Sequence, residues 1–130
     1  NPTYYIFDDP LLATLQLAQI LAREGKSLSQ MVDDIPTYPT IEKGYETPDA
    51  VKFKLVNSIR DDFKKEGAKV NTIDGVKVSF DDGWALLRPS NTQPMVRLFA
   101  EATSEKRLKE LVGQFEQLFK EKLKRFARKR

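Results

Sequence analysis

The sequence predicts an α+β protein: an antiparallel sheet of about four strands with two main helices on one side, preceded by a helical segment. Three observations lead there. From residue 40 onward the stretches run strand, helix, three or four strands, helix, without the regular alternation of a parallel α/β fold. Asp74-Gly75 and Asp82-Gly83 separate short runs rich in β-branched and aromatic residues, as hairpin turns do. The final stretch repeats apolar residues at helical spacing along its length.

Each element has its own signal. Asp9-Pro10 marks a helix start, with Asp9 as N-cap and Pro10 in the first turn, where its missing N–H costs nothing. Leu11, Leu12, Leu15, Ala18 and Leu21 or Ala22 follow at helical spacing, and Gly25 closes the helix. Ser27 and Gln30 suit a capping box for a short second helix to about Val32. Residues 33–48 hold three prolines and no helical period, predicting a linker to about Pro39 and a short strand over Thr40–Tyr45. The domain boundary is placed there, giving segments 1–39 and 40–130.

Thr47-Pro48-Asp49 repeats the cap-then-proline signal, with Thr47 as the cap. Val51 or Lys52, Leu55, Ile59 and Phe63 then form one helical face, ended by Gly67. Val70–Ile73 and Val76–Phe80 flank Asp74-Gly75 as the arms of a hairpin. Trp84–Arg88 reads as the next strand and Met95–Ala102 as the last. Thr103 is the predicted cap of the final helix, whose apolar face comprises Leu108, Leu111, Val112, Phe115, Leu118 or Phe119, Leu123 and Phe126.

Composition removes several classes of function. The 130 residues suit one domain, or one small domain with part of another. There is no cysteine and no histidine, which excludes disulfides, thiolate nucleophiles, histidine acid–base catalysis and Cys/His metal sites. The absence of cysteine also fits a reducing compartment, and a cytoplasmic location is expected. The apolar stretch at Leu11–Leu21 is broken by Thr14, Gln16 and Gln19, short of the ~20 apolar residues of a membrane span, so no membrane partner is expected. The chain opens at Asn1 on an apolar run without an initiating methionine, so it is expected to be part of something longer.

The net charge of +3 is unevenly spread. Ser104–Arg130 holds ten basic and four acidic residues; the remainder is net acidic. Lys120, Lys122, Lys124, Arg125, Arg128, Lys129 and Arg130 therefore raise nucleic-acid binding as a rival function. No aromatic residue lies among them on the polar face, and basic residues near a helix C-terminus complement its dipole, so nucleic acid is not the expected partner. A purely structural docking module, with Trp84 and Tyr45 at an interface, is the third reading.

The chemistry concentrates in Arg88-Pro89-Ser90-Asn91-Thr92-Gln93-Pro94. Arg88 offers a planar fork of donors suited to two phosphate oxygens. Ser90 and Thr92 supply hydroxyls and Asn91 an amide, and small polar residues let successive N–H groups converge on an anion. No carboxylate interrupts the loop, and Arg97 adds positive field. Loops of this composition also serve simply as turns, and arginines at strand ends are commonly solvated charges. The acidic pairs Asp8-Asp9, Asp33-Asp34, Asp61-Asp62 and Asp81-Asp82 read as caps, turns and helix surface rather than metal ligands.

Three stretches carry a resemblance: Thr72-Ile73-Asp74-Gly75-Val76-Lys77-Val78; Gly83-Trp84-Ala85-Leu86-Leu87-Arg88-Pro89-Ser90-Asn91-Thr92-Gln93-Pro94; and Arg97-Leu98-Phe99-Ala100-Glu101-Ala102. Together they resemble the C-terminal domain of the α-D-phosphohexomutases, which include phosphomannomutases, phosphoglucomutases and phosphoglucosamine mutases. Phe7-Asp8-Asp9-Pro10 and its helix resemble the last helix of the preceding domain. The resemblance implies a TATA-box-binding-protein-like sheet with helices. It also implies a four-domain enzyme that interconverts hexose 6-phosphate and hexose 1-phosphate through a bisphosphate. In such an enzyme a phosphoserine of the first domain transfers the phosphoryl group, aspartates of the second hold Mg2+, and the third reads the sugar.

By matching position, Arg88, Ser90, Asn91 and Thr92 form a clamp for the non-reacting phosphate, with Arg97 beside them. The implied partners are a hexose phosphate or bisphosphate and the remaining domains of the same enzyme. Gln93 departs from the family, where many members have glutamate. The serine, magnesium and sugar-reading motifs are absent from these 130 residues. The chain is therefore expected to be inactive alone, to hold no metal, and to leave the identity of the hexose undetermined.

Overall fold

A computed structural model describes residues 8–127. Expectations for Asn1–Phe7 and for Arg128, Lys129 and Arg130 lie outside the described residues. The chain divides into two compact units, one ending at Thr37 and the other beginning at Tyr38.

The first unit holds α1 (Pro10–Glu24) and α2 (Leu28–Asp33). Asp9 caps α1 by accepting the Leu12 N–H at 3.0 Å, and Gly25, at φ +64°, donates its own N–H to the Leu21 carbonyl. Ser27 and Gln30 form the reciprocal capping box at the start of α2.

The second unit contains β1 (Thr40–Glu46), α3 (Asp49–Lys65), β2 (Lys69–Asn71), β3 (Val76–Phe80), β4 (Gly83–Pro89), β5 (Met95–Ala102) and α4 (Glu105–Ala127). Five strands, rather than about four, form one antiparallel sheet in the order β1-β5-β4-β3-β2. Strand alternation sends Val96, Leu98, Ala100 and Ala102 of β5 inward, and Met95, Arg97, Phe99 and Glu101 to the opposite face. Leu55, Val56 and Ile59 of α3 and Leu111, Phe115 and Phe119 of α4 meet the inward residues in one buried cluster. The Phe63 and Phe115 rings stack at 5.3 Å between the two helices. Both helices thus cover one face of the sheet.

Three local expectations are corrected. Thr47 does not cap α3: it is buried, and its hydroxyl donates to the Tyr45 carbonyl at 2.9 Å, which leaves Pro48 at the cap position without a side-chain bond. Ser104, not Thr103, caps α4 by accepting the Arg107 N–H at 3.2 Å. The hairpin at Asp74-Gly75 has a longer loop than the dipeptide suggests. A two-residue type I′ turn needs positive φ twice, and only Gly75 supplies it. Residues 72–75 therefore form the loop, Ile73 lies exposed rather than in β2, and Asn71 accepts the Ile73 N–H as an Asx turn.

Candidate anion site at the β4–β5 connection

The site grows out of the sheet register. Leu87 and Val96 point into the core, so their neighbours Arg88 and Arg97 emerge on the uncovered face, directly opposite one another across β4 and β5. The chain reverses between them through Ser90–Pro94. The Ser90 N–H donates to the Met95 carbonyl at 2.9 Å, closing the bend. The Ser90 hydroxyl accepts the Gln93 N–H at 3.1 Å, and the Met95 N–H donates to the Gln93 carbonyl at 2.8 Å. Just past the end of β1, the Thr47 N–H reaches the Pro94 carbonyl at 2.8 Å.

All five residues singled out in the sequence, Arg88, Ser90, Asn91, Thr92 and Arg97, line one cleft of about 330 Å³, together with Gln93 and Phe99. Among the described residues, the backbone N–H groups of Asn91 and Thr92 find no acceptor. The cleft thus gathers two guanidiniums, two hydroxyls, two carboxamides and two spare backbone N–H groups, and its lining includes no carboxylate. Donors of this kind have the chemistry to bond an oxyanion. A wider depression of about 640 Å³ on the loop's other flank is lined by Glu46 and no cation, and is electrostatically unsuited to one.

Both guanidiniums are paired to carboxylates at the cleft edge. Arg88 Nε lies 3.0 Å from Asp74 Oδ2 on the β2–β3 loop. Arg97 Nη1 lies 2.7 Å from Glu42 Oε1 on β1, and Nη2 lies 3.4 Å from Gln93 Oε1. The pairs are half-exposed, so each is worth about 1 kcal/mol or less, weak enough to be exchanged for a ligand.

Sequence reasoning missed the partners. Asp74 reads only as a turn residue and Glu42 only as a strand charge, because pairing across the sheet is not local. It also missed Lys52, which lies on the buried side of α3 and donates from Nζ to the Gln93 carbonyl at 2.9 Å. The available signal was a lysine at an apolar helix position.

The acidic pairs take other roles. Asp34, Asp61, Asp62 and Asp82 pair with Lys26, Arg60, Lys122 and Arg107. Among the described residues no three Asp or Glu side chains come together to hold a metal. Trp84 lies on the uncovered face with its indole N–H on Glu101 at 3.1 Å, and the Lys77 ammonium sits 4.0 Å above its ring. Tyr45 faces the helices and packs on Phe119. No helix among the described residues is long and apolar enough to cross a membrane.

Fold and cleft define an α+β domain with a donor-rich turn at the end of its central strands. Residues 46–118 match the family described as phosphoglucomutase/phosphomannomutase, C-terminal domain, and the chain belongs to that family. A probable phosphoglucosamine mutase of Methanopyrus kandleri is 35% identical over 115 residues, covering 88% of this chain and 25% of that protein. A phosphoglucomutase/phosphomannomutase of Thermococcus kodakarensis is 33% identical over 123 residues, covering 95% of this chain and 27% of that one. The crystal structure of a phosphoglucomutase/phosphomannomutase family protein from Burkholderia thailandensis superposes with a TM-score of 0.73 at 34% identity, covering 92% of this chain and 25% of that chain. The chain spans about a quarter of the length of these relatives.

Proposed function

We propose that this chain is the C-terminal part of a cytoplasmic phosphohexomutase, and that its cleft clamps the phosphate of a hexose phosphate that is not reacting. The convergence of Arg88, Ser90, Asn91, Thr92 and Arg97 on one cleft, with carboxylates only at its edge, supports the reading. In this account the whole enzyme interconverts hexose 6-phosphate and hexose 1-phosphate through a bisphosphate. The phosphoserine, the Mg2+ ligands and the sugar-reading loop belong to its other domains. This chain binds but does not turn over.

The clamp does physical work at a distance. Energy gained from the remote phosphate orients the reacting hydroxyl and reduces the entropy lost on reaching the transition state. A clamp made of guanidiniums, hydroxyls and amides recognises the dianion and ignores the sugar. The bisphosphate can then turn around and present either end. The weak pairs Arg88–Asp74 and Arg97–Glu42 suit such a cycle, because they hold the guanidiniums between ligands at little cost.

Calorimetric titration of the chain tests this. Glucose 6-phosphate and mannose 6-phosphate should bind saturably at moderate salt, and the unphosphorylated sugars should not. Equal binding of free sugar, or tighter and strongly salt-dependent binding of random DNA, would replace the clamp with another function.

A further inference from the structure

We propose that Lys52 is a positioning residue for the anion-binding bend, acting from beneath it through the Gln93 carbonyl. The inference rests on the clamp reading and names a residue outside the cleft lining. Lys52 is 3% exposed on the face of α3 that buries Leu55, Val56 and Ile59. Its ammonium meets Asp49 Oδ1 at 2.6 Å and the Gln93 carbonyl, 41 residues away in sequence, at 2.9 Å, and lies 5.3 Å from the centre of the Phe53 ring.

Stability alone gives little reason for a lysine there. Removing an ammonium from water is expensive, and an apolar side chain of similar size generally packs at least as well. Without Lys52 no buried polar group would be orphaned. The Gln93 carbonyl still accepts from the Met95 N–H, and Asp49 is largely exposed to water. The bond instead acts on the bend. Carbonyl oxygens facing the cleft would repel a phosphate, and in the C-terminal half of this bend those of Gln93, Pro94 and Met95 are all engaged. Lys52 and the Met95 N–H hold the first, the Thr47 N–H the second and the Ser90 N–H the third. The N–H groups of Asn91 and Thr92 remain as the bend's unengaged backbone donors. Lys52 is the hydrogen-bonding tether from α3 to the bend, with Asp49 balancing its charge.

Lys52→Met, which keeps length and removes charge, separates binding from folding. Titration with glucose 6-phosphate, monitored by the amide resonances of Asn91 and Thr92, should show affinity about tenfold weaker or worse, as for loss of a charge-assisted hydrogen bond. The melting temperature should change little. Wild-type affinity in Lys52→Met would overturn the role of Lys52 and leave the clamp intact. Failure of the wild-type chain to bind would overturn the clamp itself. If Lys52→Met does not fold, the wild-type side chain decides. Its ammonium resonance should exchange slowly and shift when the sugar phosphate is added. A resonance unmoved at saturation would overturn the proposal.

Discussion

Arg88 on β4 and Arg97 on β5 are cross-strand partners, so two guanidiniums stand side by side on the uncovered face of the sheet. Directly opposed like charges destabilise a sheet by a few tenths of a kcal/mol or more. The fold tolerates them because Asp74 and Glu42 approach from either side, one on the β2–β3 loop and one on β1. A ligand dianion would satisfy both arginines at once, which neither carboxylate does.

Arg88→Ala in the intact enzyme should raise KM and lower kcat, with a combined loss of about 2–4 kcal/mol in transition-state stabilisation, typical of losing a charged partner. Steady-state kinetics with hexose 1-phosphate check it. Unchanged constants would remove Arg88 from the clamp.

Arg97→Gln separates binding from folding in another way. It removes one member of the opposed pair and one exposed ion pair, effects of opposite sign, so stability should move by no more than about 0.5 kcal/mol. Affinity for inorganic phosphate should fall. A large drop in melting temperature with unchanged phosphate binding would make Arg97 a structural residue.

Much of this architecture is legible in the sequence because its signals are local. Asp9-Pro10 and Ser27–Gln30 announce helix starts through bonds within one turn, and Met95–Ala102 shows its alternation residue by residue. The apolar stripe of α4 is complete in the sequence, from Leu108 to Phe126. Misreadings arise where tertiary contacts override a local preference. Thr47 has a good capping side chain, but burial between β1 and the Pro94 carbonyl redirects it. Thr103 loses the cap to Ser104 because its N–H is drawn to the Asp82 carbonyl. Arg88, Ser90, Asn91, Thr92 and Arg97 lie within ten residues of one another, at the connection of β4 to β5, and could be named in advance. Asp74, Glu42 and Lys52 reach the site from three other elements, and only the folded register brings them there.

A second polar cluster, on the helix-covered side, sets an expected pH response. Glu116 of α4 accepts from Lys43 Nζ at 2.8 Å and from the Tyr45 hydroxyl at 2.7 Å. These two hydrogen bonds, Lys43 first, hold its carboxyl below the usual range, while burial and then the Glu116 hydrogen bond push the Tyr45 phenol up. A lowered carboxylate pKa stabilises the fold above the unfolded value, near 4.3, and that contribution fades as pH falls through the folded value. A raised phenol pKa stabilises below about pH 10 and fades as pH rises beyond it. Glu116→Gln should therefore lower the melting temperature at pH 7 more than at pH 3. Equal losses at both values would show that the carboxylate's charge contributes nothing.

The β2–β3 loop that carries Asp74 depends on its glycine. Gly75 has φ +86°, and a Cβ there would lie 2.3 Å from the Leu87 carbonyl oxygen, a backbone atom of β4 that cannot move aside. Gly67 has a similar φ of +74°, but a Cβ there meets nothing within 4 Å. The two positions thus share the conformational penalty and differ in the clash. Gly67→Ala should cost about 1 kcal/mol, the left-handed penalty of a side chain. Gly75→Ala should cost more, on the order of 2–3 kcal/mol, as the loop shifts off β4. The same shift moves Asp74 away from Arg88, so Gly75→Ala should also alter phosphate affinity, and Gly67→Ala should not. Urea denaturation and phosphate titration of both variants give the comparison. Equal destabilisation would mean that the close approach of the loop to β4 does not constrain residue 75.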